Sequence, residues 1–284
     1  MSGGPAGKGS SLPERVRIKP LEAFEDFEKL LEIQRAVWKH EDVNLTPVHQ
    51  FAVSSRMGAI LLGAFVGREL AGFVYSFPAV FKGEPCQHSH LLAVLPDFQG
   101  DGMGKALKWA QREEALKRGY RFITWTYDPL QTRNANLNLQ ALGAVSRTYF
   151  SNFYGMTPSL CLGPGIPTDR MLIEWPISDR RVKSRIEGKA RNPGYDPEAL
   201  PKAQARRPGG VAPLHRPARP NLGLEDEVVL VEVPGDIRAL AGRPDLIAEW
   251  QKGLRRAMTA YFGRGYFADN FIFGERAFYV LKKG

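Results

Sequence analysis

Apolar residues recur at helical spacing from Phe24 to Trp38, where Phe24, Phe27, Leu30, Leu31, Ile33, Val37 and Trp38 predict a helix. A short strand is expected just before it, from Arg15 to Pro20. Thr46-Pro47 offers an N-cap followed by proline at the first helical position, so a second helix should start there. Two strand-like runs, Ile60 to Val66 and Leu70 to Phe77, are joined by Gly67-Arg68-Glu69 and predict a hairpin. A further strand, His88 to Leu95, ends at Pro96. Gly102 to Arg118 reads as an amphipathic helix closed by Gly119. Phe122 to Tyr127 is a strand stopped by Asp128-Pro129, and Asn134 to Leu142 a short helix ended by Gly143. Val145 to Tyr154 and Arg170 to Trp175 are strands.

The pattern then breaks. Between Arg180 and Pro220 there are eleven Lys/Arg, three Asp/Glu and many prolines, a stretch that reads as a linker or a surface-hugging arm. Its lone aromatic is Tyr195, so it lacks the interleaved rings of a nucleic-acid platform and a solvated linker is favoured. Order returns with a strand at Val228 to Val233, a helix at Pro244 to Phe262, and strands at Tyr266 to Phe273 and Ala277 to Leu281. The aromatic residues of this end are expected in the core. The implied division is an N-terminal stretch 1–14, a first domain 15–178, a basic proline-rich segment 179–224 and a β-α-β-β segment 225–284.

Composition narrows the function classes. With 284 residues, 43% hydrophobic and 24% charged, the chain can bury a core and is not disordered as a whole. The two cysteines, Cys86 and Cys161, form no CxxC or Cys/His cluster, so neither a disulfide framework nor a metal site is expected. The longest apolar stretch near the N-terminus, Ala59 to Val66, is too short to span a bilayer, and a cytoplasmic, membrane-free protein is expected. A formal charge of +9 raises the question of an anionic partner, a phosphorylated cofactor or nucleic acid, although many basic proteins bind neither.

The segment Leu91-Leu92-Ala93-Val94-Leu95-Pro96-Asp97-Phe98-Gln99-Gly100-Asp101-Gly102-Met103-Gly104-Lys105 runs from strand through a glycine-rich turn into a helix. Unpaired amides and the helix dipole make such an N-terminus an anion cradle, and glycines keep side chains out of the way. The spacing fits neither a Rossmann fingerprint nor a Walker loop. Gln99-x-x-Gly102-x-Gly104 resembles motif A of the GNAT superfamily of N-acetyltransferases, and the order of elements from Arg15 to Trp175 resembles that fold. The resemblance implies an α/β fold with a mixed, mostly antiparallel sheet flanked by helices, and acetyl-CoA or another acyl-CoA as co-substrate. It implies that backbone groups of Leu92 and Val94 meet the pantetheine arm. The amides of Gln99, Gly100, Asp101, Gly102, Met103, Gly104 and Lys105 would then hold the pyrophosphate. It also places Asn134 and Asn138 at the cofactor's sulfur or pantetheine end, against a plainer reading as capping and solvent-facing residues.

Acetyl transfer to an amine needs a base near neutrality. His88 and His90 lie two apart on a strand, hence on one face, just before the motif. This stretch is similar to the motif strand of the serotonin N-acetyltransferase branch of the superfamily, which implies a water-relayed base. The tyrosine that many members use to reprotonate the thiolate is replaced by Leu139. Tyr127, Tyr149 and Tyr154 are the candidates for that acid, Tyr154 first, against a structural role for each. The expected reaction is direct acetyl transfer to a small primary amine or amino acid, with no metal and no covalent intermediate. The alternatives are a catalytically silent acyl-CoA-binding regulatory module and a nucleic-acid-associated protein acting through the basic arm. A homodimer is left open.

Overall fold

The computed structural model describes residues 16–38, 42–155, 165–188, 194–210 and 212–284. Cys161 therefore lies outside the described residues. The chain forms two compact units, Met1–Tyr120 and Arg121–Gly284.

The first unit is an antiparallel sheet with helices. Its elements are β1 (Val16–Pro20), α1 (Phe24–Trp38), α2 (Val48–Arg56), β2 (Ile60–Val66), β3 (Glu69–Phe81), β4 (Glu84–Val94) and α3 (Met103–Lys117). The strands follow one another in the order β1-β2-β3-β4, each antiparallel to the next. The expected β2–β3 hairpin forms, and a second tight turn at Lys82-Gly83 extends β3 and β4 beyond the predicted runs. Phe27, Leu30 and Ile33 of α1 and Phe51 of α2 bury against Phe65, Phe73, Tyr75 and Ala93. Phe24 fits the helical period yet is 56% exposed, because it opens the helix before the sheet begins beneath it.

The second unit holds β5 (Phe122–Tyr127), α4 (Thr132–Ala135), β6 (Val145–Phe150), β7 (Arg170–Pro176), α5 (Arg180–Ile186), β8 (Lys202–Gln204), β9 (Val228–Pro234), α6 (Pro244–Gly263), β10 (Tyr266–Ile272) and β11 (Arg276–Lys283). Its strand order is β5-β7-β6-β10-β11-β9-β8, antiparallel except for the last pair. The helix expected at Asn134 to Leu142 is different in kind. It starts at Thr132 and passes into a π-turn over Asn136–Ala141, with the Leu142 amide donating to the Leu137 carbonyl. The strand expected to run to Tyr154 stops at Phe150.

The basic stretch carries structure that its composition hides. Asp179 caps α5 by accepting from the Arg181 amide, and β8 pairs in parallel with β9. Arg181 pairs with Asp269, and Arg216 with Asp245 and Glu249. Tyr261 and Arg264 of α6 hold the carbonyls of Asn221, Leu222 and Leu224. No helix among the described residues is long and apolar enough to cross a membrane.

Candidate functional site

In β4 the ladder with β3 slips once. Tyr75 pairs with Leu91 and Ser76 with Ser89, so His90 is the extra residue of a β-bulge. A bulge re-aims side chains and withdraws a residue from the ladder. Here it keeps His88 and His90 on one face although Leu91 points the same way. His88 pairs across the ladder with Phe77, and its ring lies 5.4 Å from that ring. His90 lies 5.8 Å from Phe77 and 6.0 Å from Tyr75, ring centre to ring centre.

Burial pushes His88 down to about 4, with His90 and the Lys108 ammonium adding to the effect. His90 is also lowered by desolvation: its edge reaches solvent, but the two aromatic rings take water from its flanks. Both imidazoles are therefore neutral at pH 7. The shift runs below the neutral poise expected of a strong general base, and this suits a relay better than a direct proton sink. A pocket of about 260 Å³ opens beside His90, walled by Thr46, Pro47, Gln50, Tyr75 and Phe77.

On the opposite face of β4, Ser89 is buried against α3. Lys108, 2% exposed, donates to the Ser89 hydroxyl at 3.0 Å and to Gln111 Oε1 at 2.8 Å. Burial drives its pKa well below the ordinary lysine value. Sequence reasoning missed this residue, since a lysine in an amphipathic helix reads as solvent-facing.

Beyond β4 the chain turns through Pro96–Phe98 and enters α3. Gly100 and Gly102 have φ of 101° and 81°, a region that favours glycine. Gly102 is the N-cap and brings no side-chain cap, so the first amides of α3 keep their donors for an incoming group. A Cβ on Gly100 would meet nothing within 4 Å, which leaves open space over the turn. Gly104 is different: a Cβ there would touch Leu92 and Val94 only at 3.9 and 4.0 Å. Gln99 turns its amide back to the Val94 carbonyl at 2.8 Å, pinning the turn to β4. Asp101 is exposed, and Met103 is buried under the helix. These residues fit a diphosphate held by main-chain amides, with Lys105 one turn in.

The remaining candidates lie in the second unit. Asn134 is exposed on α4, whereas Asn138 is 4% exposed in the π-turn with its Nδ2 unpaired among the described residues. Leu139 is fully buried. Of the three tyrosines, Tyr127 bonds Tyr279 at 2.9 Å, and burial raises its pKa above the ordinary phenol. Tyr149 donates to Asp169 at 2.6 Å and is also raised, by burial and by that carboxylate. Tyr154 is 40% exposed, with its hydroxyl 3.3 Å from Thr126 Oγ1 and the Arg170 guanidinium over its ring. Asp128, unremarked in the sequence, is raised by burial to about 6. No group of three or more potential metal ligands occurs among the described residues.

The model of the acetyltransferase (GNAT) family matches residues 24–143, the stretch that carries β4, the glycine turn and α3. The chain carries a GNAT acetyltransferase domain. Solved structures of low identity are similar to part of the chain. A GNAT family acetyltransferase from Elizabethkingia anophelis with acetyl-CoA bound is 19% identical, covering 58% of this chain and 99% of that one, with a TM-score of 0.47. The ribosomal-protein-S18-alanine N-acetyltransferase from Escherichia coli is 20% identical over 57% and 94%, at 0.46. A GNAT acetyltransferase from Streptococcus pneumoniae is 17% identical over 56% and 98%, at 0.46. No curated protein matches the chain.

Proposed function

We propose that the protein is an acetyl-CoA-dependent N-acetyltransferase acting on a small primary amine or amino acid, by direct attack within a ternary complex. The observation that carries this reading is the turn ahead of α3, where two left-handed glycines present bare main chain to the open amides of a helix. Acetyl-CoA would supply the activated acyl group. The main chain from Gln99 to Lys105 would hold its pyrophosphate, and the main chain of Leu92 and Val94 its pantetheine arm. Asn134 and Asn138 are retained as contacts for the cofactor's thiol end.

His90, on the pocket wall, would accept the amine proton, with His88 passing it on through water. The amine nitrogen would then bond the acetyl carbon as the carbon–sulfur bond breaks, and the leaving thiolate needs a proton. Tyr154 is the proposed donor, because Tyr127 and Tyr149 are buried and bonded elsewhere. Leu139 in place of the usual tyrosine favours a second reading, an acyl-CoA-binding module without turnover.

A thermal melt with and without acetyl-CoA tests the base of both readings. Ligand at a hundred times its dissociation constant adds about 2.7 kcal/mol to the folded state. Gly104→Glu should keep the fold, since its Cβ has room, yet lose that shift by placing a carboxylate in the cradle. An unshifted wild type sinks the acyl-CoA assignment. Thiol release with an amine panel then separates enzyme from silent module.

A further inference from the structure

A second pocket, of about 300 Å³, lies within the second unit, at the end of β9. We infer that it binds a free apolar α-amino acid as a zwitterion, independently of the acetyl-transfer reading. Its walls are apolar: Val233, Pro234, Pro213, Ala239 and the indole of Trp250. They are also held in place. Trp250 Nε1 donates to the His215 carbonyl at 2.9 Å, and Thr132 Oγ1 to the Gly235 carbonyl at 2.7 Å. Gly235 has no room for a side chain, since a Cβ would come within 2.6 Å of the Glu275 carbonyl oxygen.

The polar groups on the wall sort into those already committed and those not. Glu232, at the base, takes a two-pronged pair from Arg276 at 2.9 Å each and the Arg206 amide at 2.9 Å, so its oxygens are filled. Asp236 is forked by Arg238. The Arg206 guanidinium forms only a loose ion pair with Glu232, at 3.8 Å and beyond hydrogen-bond reach, so its N–H donors can turn to an incoming carboxylate. Glu275, exposed in the β10–β11 turn, forms no ion pair among the described residues. His215 Nδ1 is buried without a partner. A guanidinium with donors to spare, an exposed carboxylate and apolar walls lining one pocket match a carboxylate, an ammonium and an apolar side chain on one small molecule.

Indole ¹H–¹⁵N signals test this on the full chain, which has five tryptophans, with Trp250→Phe assigning the relevant one. L-Phenylalanine, added without acetyl-CoA, should shift the Trp250 signal saturably at millimolar concentration. 3-Phenylpropionate lacks the ammonium and phenethylamine the carboxylate, and each should bind several-fold more weakly. Arg206→Met and Ala239→Phe, the first removing the guanidinium and the second filling the space, should each abolish the shift. The inference is overturned if wild type shows no shift up to about 20 mM, a range where even a very weak site fills. It is overturned equally if either one-charge analogue binds as well as phenylalanine, or if both variants still respond.

Discussion

Lys108 Nζ lies 3.0 Å from the hydroxyl of Ser89, the residue between the two histidines of β4. Its charge, and its hold on the strand, reach the opposite face through one residue of backbone. Burial lowers Lys108, and Lys108 in turn helps to lower His88. In Lys108→Met the His88 pKa should therefore rise from about 4, read from the pH titration of its imidazole proton. The stability consequence has a definite sign. A lysine lowered in the folded state binds fewer protons than in the unfolded chain, so wild-type stability climbs as pH rises toward the unfolded lysine value. The variant should lose that climb, and a denaturant series above pH 8 would detect its persistence.

Two groups act in opposite directions between pH 4 and 6.5. His88 falls from 6.5 to about 4 on folding, so it destabilises the fold progressively as pH drops through that interval. Asp128 rises from 3.8 to about 6, so its contribution is full below the unfolded value and is lost as pH rises through 6. Each shift corresponds to at most about 3 kcal/mol, less where solvent reaches the group. The two slopes oppose each other in wild type, with His90 adding to the His88 side. Asp128→Asn should unmask stability that rises with pH, and His88→Gln stability that falls with it. Parallel profiles for the two variants would contradict the assigned directions.

The three glycines of the turn should answer differently to the same change. Gly102→Ala places a Cβ at a φ of 81° and should cost about 1 kcal/mol. Gly104→Ala sits at an ordinary helical position with its nearest side-chain neighbour at 3.9 Å, and should be neutral or stabilising by a few tenths of a kcal/mol. Gly100→Ala is strained by φ alone, since nothing lies within 4 Å. Urea midpoints order the set, and a destabilised Gly104→Ala would show that the helix entry is tighter than drawn.

These contrasts show where sequence is legible. β5 matches its prediction at both ends because glycine and Asp128-Pro129 punctuate it and its run is uniformly β-prone. The glycine turn is visible for the same reason: positive φ demands glycine, and glycine spacing is a local signal. The bulge at His90 leaves no such mark, since it depends on how β3 and β4 register across the sheet. Nor does the π-turn at Asn136–Ala141, where one extra residue per turn is a matter of packing. Three-residue β8 is invisible because its only strand signal is a partner, β9, more than twenty residues away. Lys108 reads as surface until Ser89 and Gln111 are placed around it.

The C-terminal segment is bound to the rest of its unit by a half-buried ion pair. Asp169, fully buried ahead of β7, accepts both prongs of Arg255 from α6 at 2.8 Å. It also takes the Tyr149 hydroxyl at 2.6 Å and the Asn152 amide at 3.0 Å. The Arg255 guanidinium is raised in pKa by that carboxylate. Arg255→Met would leave Asp169 buried with two neutral donors and no counter-charge, a change that costs about 2–3 kcal/mol once solvent at the guanidinium is discounted. The double variant Arg255→Met/Asp169→Asn should recover part of the loss, because it removes the stranded charge rather than one half of the pair. A single variant with wild-type stability would mean that α6 is held by its apolar face alone, through Leu254, Ala257 and Met258.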